Sequence, residues 1–138
     1  MRACLYRLSC CLLIVAGLEG CSSGNAATPD PNALPFVQCT IRSGGKDVEA
    51  AAVALHSKAG GKLQIVGRYD AEGACYRFTT KDGTKESAGV PEGSYLMTVV
   101  PGRGTKATVA GKYAKAQTSG VSVEVKPGEN FLPPIELN

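Results

Sequence analysis

From Phe36 onward, apolar and polar residues alternate in short runs that are cut apart by Gly, Pro, Asn and Asp. A period of two places successive side chains on opposite faces of an extended strand. The cleanest run is GVSVEVK (120–126), where Val121, Val123 and Val125 face inward and Ser122, Glu124 and Lys126 face outward. FVQCTIR (36–42), AAAVALHS (50–57), LQIVGRY (63–69), ACYRFTT (74–80) and SYLMTVV (94–100) read the same way. The closing segment FLPPIELN carries Pro133 and Pro134, which suit only an edge strand or a strand start. SGGKD, AGGK, DAEG and PGEN are the turns between runs. In DAEG, Asp70 bonds forward to backbone N–H groups and Gly73 is the residue suited to positive φ. KDGTKESAGVPEG reads as a polar loop with a second Asp-Gly turn. The longest connection, 101–119, predicts a turn of helix near Gly111–Ala116. The pattern predicts an all-β domain over 36–138, a single antiparallel β-sandwich of about seven strands.

Residues 1–35 break this pattern. Arg2 and Arg7 precede an apolar run from Leu8 to Leu18, and the small Gly20 follows. Basic, apolar and small, in that order, are the parts of an export signal. The run falls short of the roughly 20 apolar residues of a spanning helix. Leu18, Gly20 and Cys21 resemble a bacterial lipobox, with Glu19 as the departure from it. Residues 1–20 are therefore expected to be a lipoprotein signal peptide. Cys21 is the expected lipidation site, with acyl chains that contribute about 0.8 kcal/mol per buried CH₂. The stretch 21–35, Ser-, Gly-, Asn- and Pro-rich, reads as a flexible tether. The expected location is the bacterial cell envelope, facing periplasm or exterior, with the membrane as partner through the lipid. Ordinary secretion with cleavage nearby is the alternative.

Composition adds limits. The 138 residues are 43% hydrophobic and 20% charged, enough for one domain with a core. A net charge of +3, evenly spread, argues against a nucleic-acid partner. Of six cysteines, Cys4, Cys10 and Cys11 fall in the signal and Cys21 at its end, leaving Cys39 and Cys75. An even remainder in an exported domain permits one disulfide; two unpaired, apolar-like thiols are the other reading. Cys39 shares a face with Val37 and Ile41, whereas Cys75 is opposite in parity to Tyr76 and Phe78.

Several short motifs occur in order along the domain. Val37-x-Cys39-x-Ile41 is followed by Gly45-Lys46-x-Val48-x-x-Ala51-x-Val53-x-Leu55, and then by Asp70-x-x-Gly73-x-x-Tyr76-x-Phe78. Val90-Pro91-x-Gly93-x-Tyr95-x-Met97-x-Val99 comes next, then Lys112-Tyr113, Thr118-Ser119-Gly120-Val121 and Val125-x-x-Gly128-x-Asn130. Together they resemble the carboxypeptidase regulatory-like (transthyretin-like) domain, in the form found in small planctomycete lipoproteins. Cys39 stands where that family usually has Gly. The resemblance implies a Greek-key, prealbumin-like sandwich and an accessory binding or structural role, with no catalytic activity and no cofactor. Fold alone does not name a ligand.

Side chains suited to chemistry are few. His56 is the single histidine, and its neighbour Ser57 points to the opposite strand face, so the two make no nucleophile–base pair. No His, Cys and Asp cluster has metal spacing. Asp70, Glu72, Asp82, Glu86 and Glu92 lie on loops, where Asp-x-x-Gly and Asp-Gly turns already employ carboxylates. A small periplasmic enzyme or a metal-binding protein using these acids and His56 is the alternative function; calcium at Asp70, Glu72 and Asp82 would have few oxygen ligands. The candidate partner-binding surface is the basic loop of Arg103, Lys106, Lys112, Tyr113 and Lys115, with an envelope protein or acidic glycan as the expected partner. A solvated loop that keeps a strand edge from pairing is the plainer reading of the same charges.

Overall fold

A computed structural model describes Asp30 and residues 32–138, so the signal-like segment, Cys21 and most of the tether lie outside the described residues. The strands are β1 (Phe36–Cys39), β2 (Ile41–Ser43), β3 (Lys46–Asp47), β4 (Ala52–Ser57), β5 (Gln64–Asp70), β6 (Cys75–Asp82), β7 (Lys85–Ala88), β8 (Gly93–Val100), β9 (Ser122–Val125), β10 (Glu129–Phe131) and β11 (Ile135–Leu137). A 3₁₀ turn at Gly111–Ala114 and a short helix α1 at Ala116–Ser119 fill the long connection, where a helical turn was expected. The domain is all-β, as the alternation predicts.

The strands form two sheets rather than one simple set of seven strands. The larger has the order β10-β1-β6-β5-β4-β8-β9 with β7 added on β6; the smaller is β11-β2-β3. Two strands read as single in the sequence are broken. FVQCTIR divides at Thr40 into β1 and β2, which lie in different sheets. The closing segment divides at Pro133-Pro134, whose nitrogens have no hydrogen to donate. Leu132 N–H reaches Gln38 O and Ile135 N–H reaches Thr40 O, both within 2.9 Å. Three steps on one strand thus match two on the other, which is a bulge that absorbs the prolines. Both β1–β10 and β2–β11 are parallel, whereas the other pairs are antiparallel.

The stretch read as one polar loop, 81–93, instead contains β7, which folds back on β6 through the Asp82-Gly83 turn. The DAEG turn also differs from expectation. Its left-handed residue is Ala74, with φ 47°, not Gly73.

The alternating residues meet inside. Val37, Cys39, Ile41, Val53, Leu55, Tyr76, Phe78, Tyr95, Met97, Val99, Val123 and Val125 share one core. Gly67 stands opposite Phe78, and a Cβ there would lie 2.8 Å from the Phe78 ring, so the glycine supplies room for the aromatic. Tyr76 is 1% exposed; its hydroxyl donates to Val48 O at 2.7 Å and accepts from Ala51 N–H at 3.1 Å. That satisfies two backbone groups of the loop before β4 from within the core.

The registers define two ends of the molecule. Phe36, Ser57, Gln64, Asp82, Gly93 and Glu129 lie at the end where the chain arrives from its N-terminal segment. Ser43, Ala52, Asp70, Cys75, Val100 and Leu137 lie at the far end. With a rise of about 3.3 Å per residue, a strand of eight residues separates the two ends by roughly 20–25 Å.

Candidate functional site

The far end collects the basic loop. The β2–β3 hairpin turns through Gly44 and Gly45, both left-handed with φ of 57° and 75°. This is the geometry of a tight two-residue hairpin turn, and only glycine takes it twice without strain. The turn presents Lys46 beside Ser43, its partner in the ladder. Ser43 Oγ donates to Thr108 O, which ties the 101–110 connection to the hairpin. Lys46 and Lys106 thereby line one cleft of about 210 Å³ together with Ser43, Gly44 and Thr108. Both lysines are exposed, and among the described residues neither joins an ion pair. Arg42, by contrast, is neutralised by Asp47 at 2.9 Å on the same hairpin.

Tyr113 does not belong to the contact surface expected for it. It is 4% exposed and part of the core. Its hydroxyl donates to Asn138 O and accepts from Asn138 N–H, each at 2.8 Å. Leu137, the residue before, pairs with Ser43, so Tyr113 brings the 3₁₀ turn to the far end. Lys112 Nζ lies 4.9 Å above the Tyr113 ring, a cation–π contact that holds the lysine at this end too. Arg103 and Lys115 are exposed. The sequence reading missed Lys46, which it absorbed into a turn; the doubled glycine before it was the available signal of a tight hairpin.

The other candidates disperse. His56 is exposed at the near end, and its Nε2 lies 3.1 Å from Thr98 Oγ1, a hydroxyl that is itself buried. With Glu92 and Tyr95 it borders a cleft of about 390 Å³. Asp70 is at the far end, bound to Arg77 at 2.8 Å and to the N–H of Glu72 at 3.1 Å. Asp82 sits at the opposite end of β6 from Cys75, the ladder partner of Asp70. Asp70 and Asp82 therefore cannot share a calcium ion, and Asp70 and His56 cannot share a substrate. Glu86 accepts from Thr79 and neighbours Arg68 and Lys81, and these contacts lower its pKa. Among the described residues no group of three His, Cys, Asp or Glu is placed to hold a metal.

Cys39 and Cys75 are both buried and both free. Cys39 stands opposite Tyr76 in the ladder, which turns Cys75, one residue earlier on β6, to the other face. Burial pushes the Cys39 thiol up to about 12, and nearby Cys75 adds to the shift. A thiol held protonated in this way is a packing group rather than a nucleophile.

A concavity of about 470 Å³ is the seam between β9 and the β10–β11 segment, bordered by Glu124, Lys126, Phe131, Leu132 and Pro134. Phe131 is 64% exposed there and packs its ring against Phe36 at 5.9 Å. Among the described residues no helix is long and apolar enough to cross a membrane. Comparison with protein-family models, with curated protein sequences and with solved structures finds no match.

Proposed function

We propose that this chain is a cell-envelope lipoprotein, anchored through Cys21, whose β-domain is a non-catalytic binding or structural module of the carboxypeptidase regulatory-like type. One observation carries the reading: the segment that would bear the anchor reaches the domain at Pro35–Phe36, whereas the basic hairpin and loop sit at the opposite end. An anchored module needs its free pole turned outward, and this geometry fits that need. The strand order supports the Greek-key part of the proposal. β4, β5 and β6 form a meander, and β8 returns to lie beside β4, giving β8-β4-β5-β6. His56 and Asp70 lie at opposite ends, which favours binding over catalysis by that pair, because acid–base chemistry needs its groups within hydrogen-bond reach of one substrate.

The test is the intact mass of the full chain extracted from the membranes of a bacterial host. The expected product begins at Cys21 and carries diacylglycerol. A product without lipid overturns the anchor, and with it the envelope orientation.

A further inference from the structure

We infer that the cleft between the β2–β3 hairpin and the 101–110 connection is a binding site for a phosphate-type oxyanion, with Lys46 and Lys106 as its charged walls. Two ammonium groups that border one small cleft repel each other, and among the described residues neither joins an ion pair. A bound anion removes that repulsion and gains attraction to both. Ser43 and Gly44 of the hairpin border the cleft, and the Ser43–Thr108 hydrogen bond ties the hairpin to the 101–110 connection across it. The volume, about 210 Å³, accommodates one phosphate group with its ester substituent. Lysine serves phosphate as a point charge that needs no fixed direction of approach, whereas the arginine fork takes carboxylate and phosphate alike. The nearest arginine on the hairpin, Arg42, is already committed to Asp47. Lys112, held over Tyr113, adds positive potential at the same end.

The phosphate could be carried on a soluble or polymeric molecule or on a lipid headgroup. The fold favours the former, a conclusion that rests on the anchored orientation proposed above. The chain reaches the domain at the other end, which points the cleft away from the membrane that holds Cys21. The cleft itself does not depend on the anchor.

The experiment uses the full chain, ¹⁵N-labelled in detergent micelles and titrated with inorganic phosphate at constant ionic strength. Saturable amide shifts confined to residues 43–46 and 106–108 are expected. Each of Lys46→Ala and Lys106→Ala should weaken binding about fivefold, and the double variant about 25-fold. Lys85→Ala, at the near end of the molecule, should leave the titration unchanged. Shifts that spread over lysines at both ends, that keep the wild-type midpoint in the double variant or that never appear overturn the site. A second arm decides the source of the phosphate. The full chain is inserted in phosphatidylcholine vesicles with or without phosphatidylglycerol, and its lysines are labelled with a membrane-impermeant amine reagent. Equal labelling of Lys46 and Lys106 in both supports an outward cleft. Their selective protection by the anionic lipid overturns it in favour of a headgroup. Loss of the anchor registers in the intact mass, which the phosphate titration does not read, so the two failures are distinguishable.

Discussion

The side-chain amide of Asn130 accepts from Lys126 N–H at 2.9 Å and donates to Lys126 O at 2.8 Å. One amide thus does across the β9–β10 turn what a pair of backbone ladder bonds does between neighbouring strands. It is needed because β9 and β10 are the two edges of the larger sheet, consecutive in sequence yet not paired with each other. The same nitrogen also approaches Gly128 O and Phe36 O, at 3.2 and 3.4 Å, so β1, β10 and the turn after β9 converge on one buried side chain. The near-closure of this sheet is held at that point.

Replacing Asn130 should therefore loosen the seam. Asn130→Ala leaves a backbone donor and acceptor of Lys126 unpaired and should cost about 1–3 kcal/mol of stability. Asn130→Asp should cost more at neutral pH, because a carboxylate can still accept but would face three carbonyl oxygens without a proton to donate. Urea unfolding checks both, and equal midpoints for wild type and Asn130→Ala would remove Asn130 from this role.

Tyr76 makes a comparable prediction inside the core. Tyr76→Phe keeps the ring but strips the partner from Val48 O and Ala51 N, at a cost of about 1–3 kcal/mol. Tyr95→Phe removes a single bond, from the hydroxyl to Pro91 O, and should cost less, about 1 kcal/mol. Thermal unfolding of the two variants side by side should rank them in that order.

Alkaline stability should bear the mark of Cys39. Its thiol ionises near 9.0 when unperturbed and near 12 in the fold, so below pH 9 both states keep the proton and the group contributes no pH dependence. Between those values the unfolded chain releases a proton that the folded chain retains. Stability then falls as pH rises, by about 1.4 kcal/mol per unit from this group. Burial raises Tyr76 and Tyr95 as well, adding loss in the same direction from pH 10 upward. Cys39→Ala should flatten the decline between pH 9 and 10, and denaturant midpoints at stepped pH would expose a slope that fails to change.

Much of the architecture was legible in the order of residues. The inward faces of Val121–Val125, Tyr95–Val99 and Tyr76–Phe78 follow from a period of two, a local property carried by neighbours two residues apart. The turn of helix in the 101–119 connection was visible for a similar reason, as was the arrest of regular pairing at Pro133-Pro134. The candidate site was only partly legible. Arg103, Lys106, Lys112 and Lys115 stood out as a charge run, but Tyr113 among them looked like a contact residue when it is a core anchor. Nothing within its own loop discloses Asn138, 25 residues away, as the partner of its hydroxyl.

By itself the sequence determined which residues face inward and where turns interrupt the strands. The tertiary structure decided which strands become neighbours. It broke 36–42 at Thr40, set β1 parallel to β10, put Lys46 beside Lys106 and sent His56 and Asp70 to opposite ends. The physical reason is range. Alternation and turn preference act over two to four residues, whereas strand pairing depends on which edges and faces the rest of the chain leaves open, and that choice is made only when the core closes.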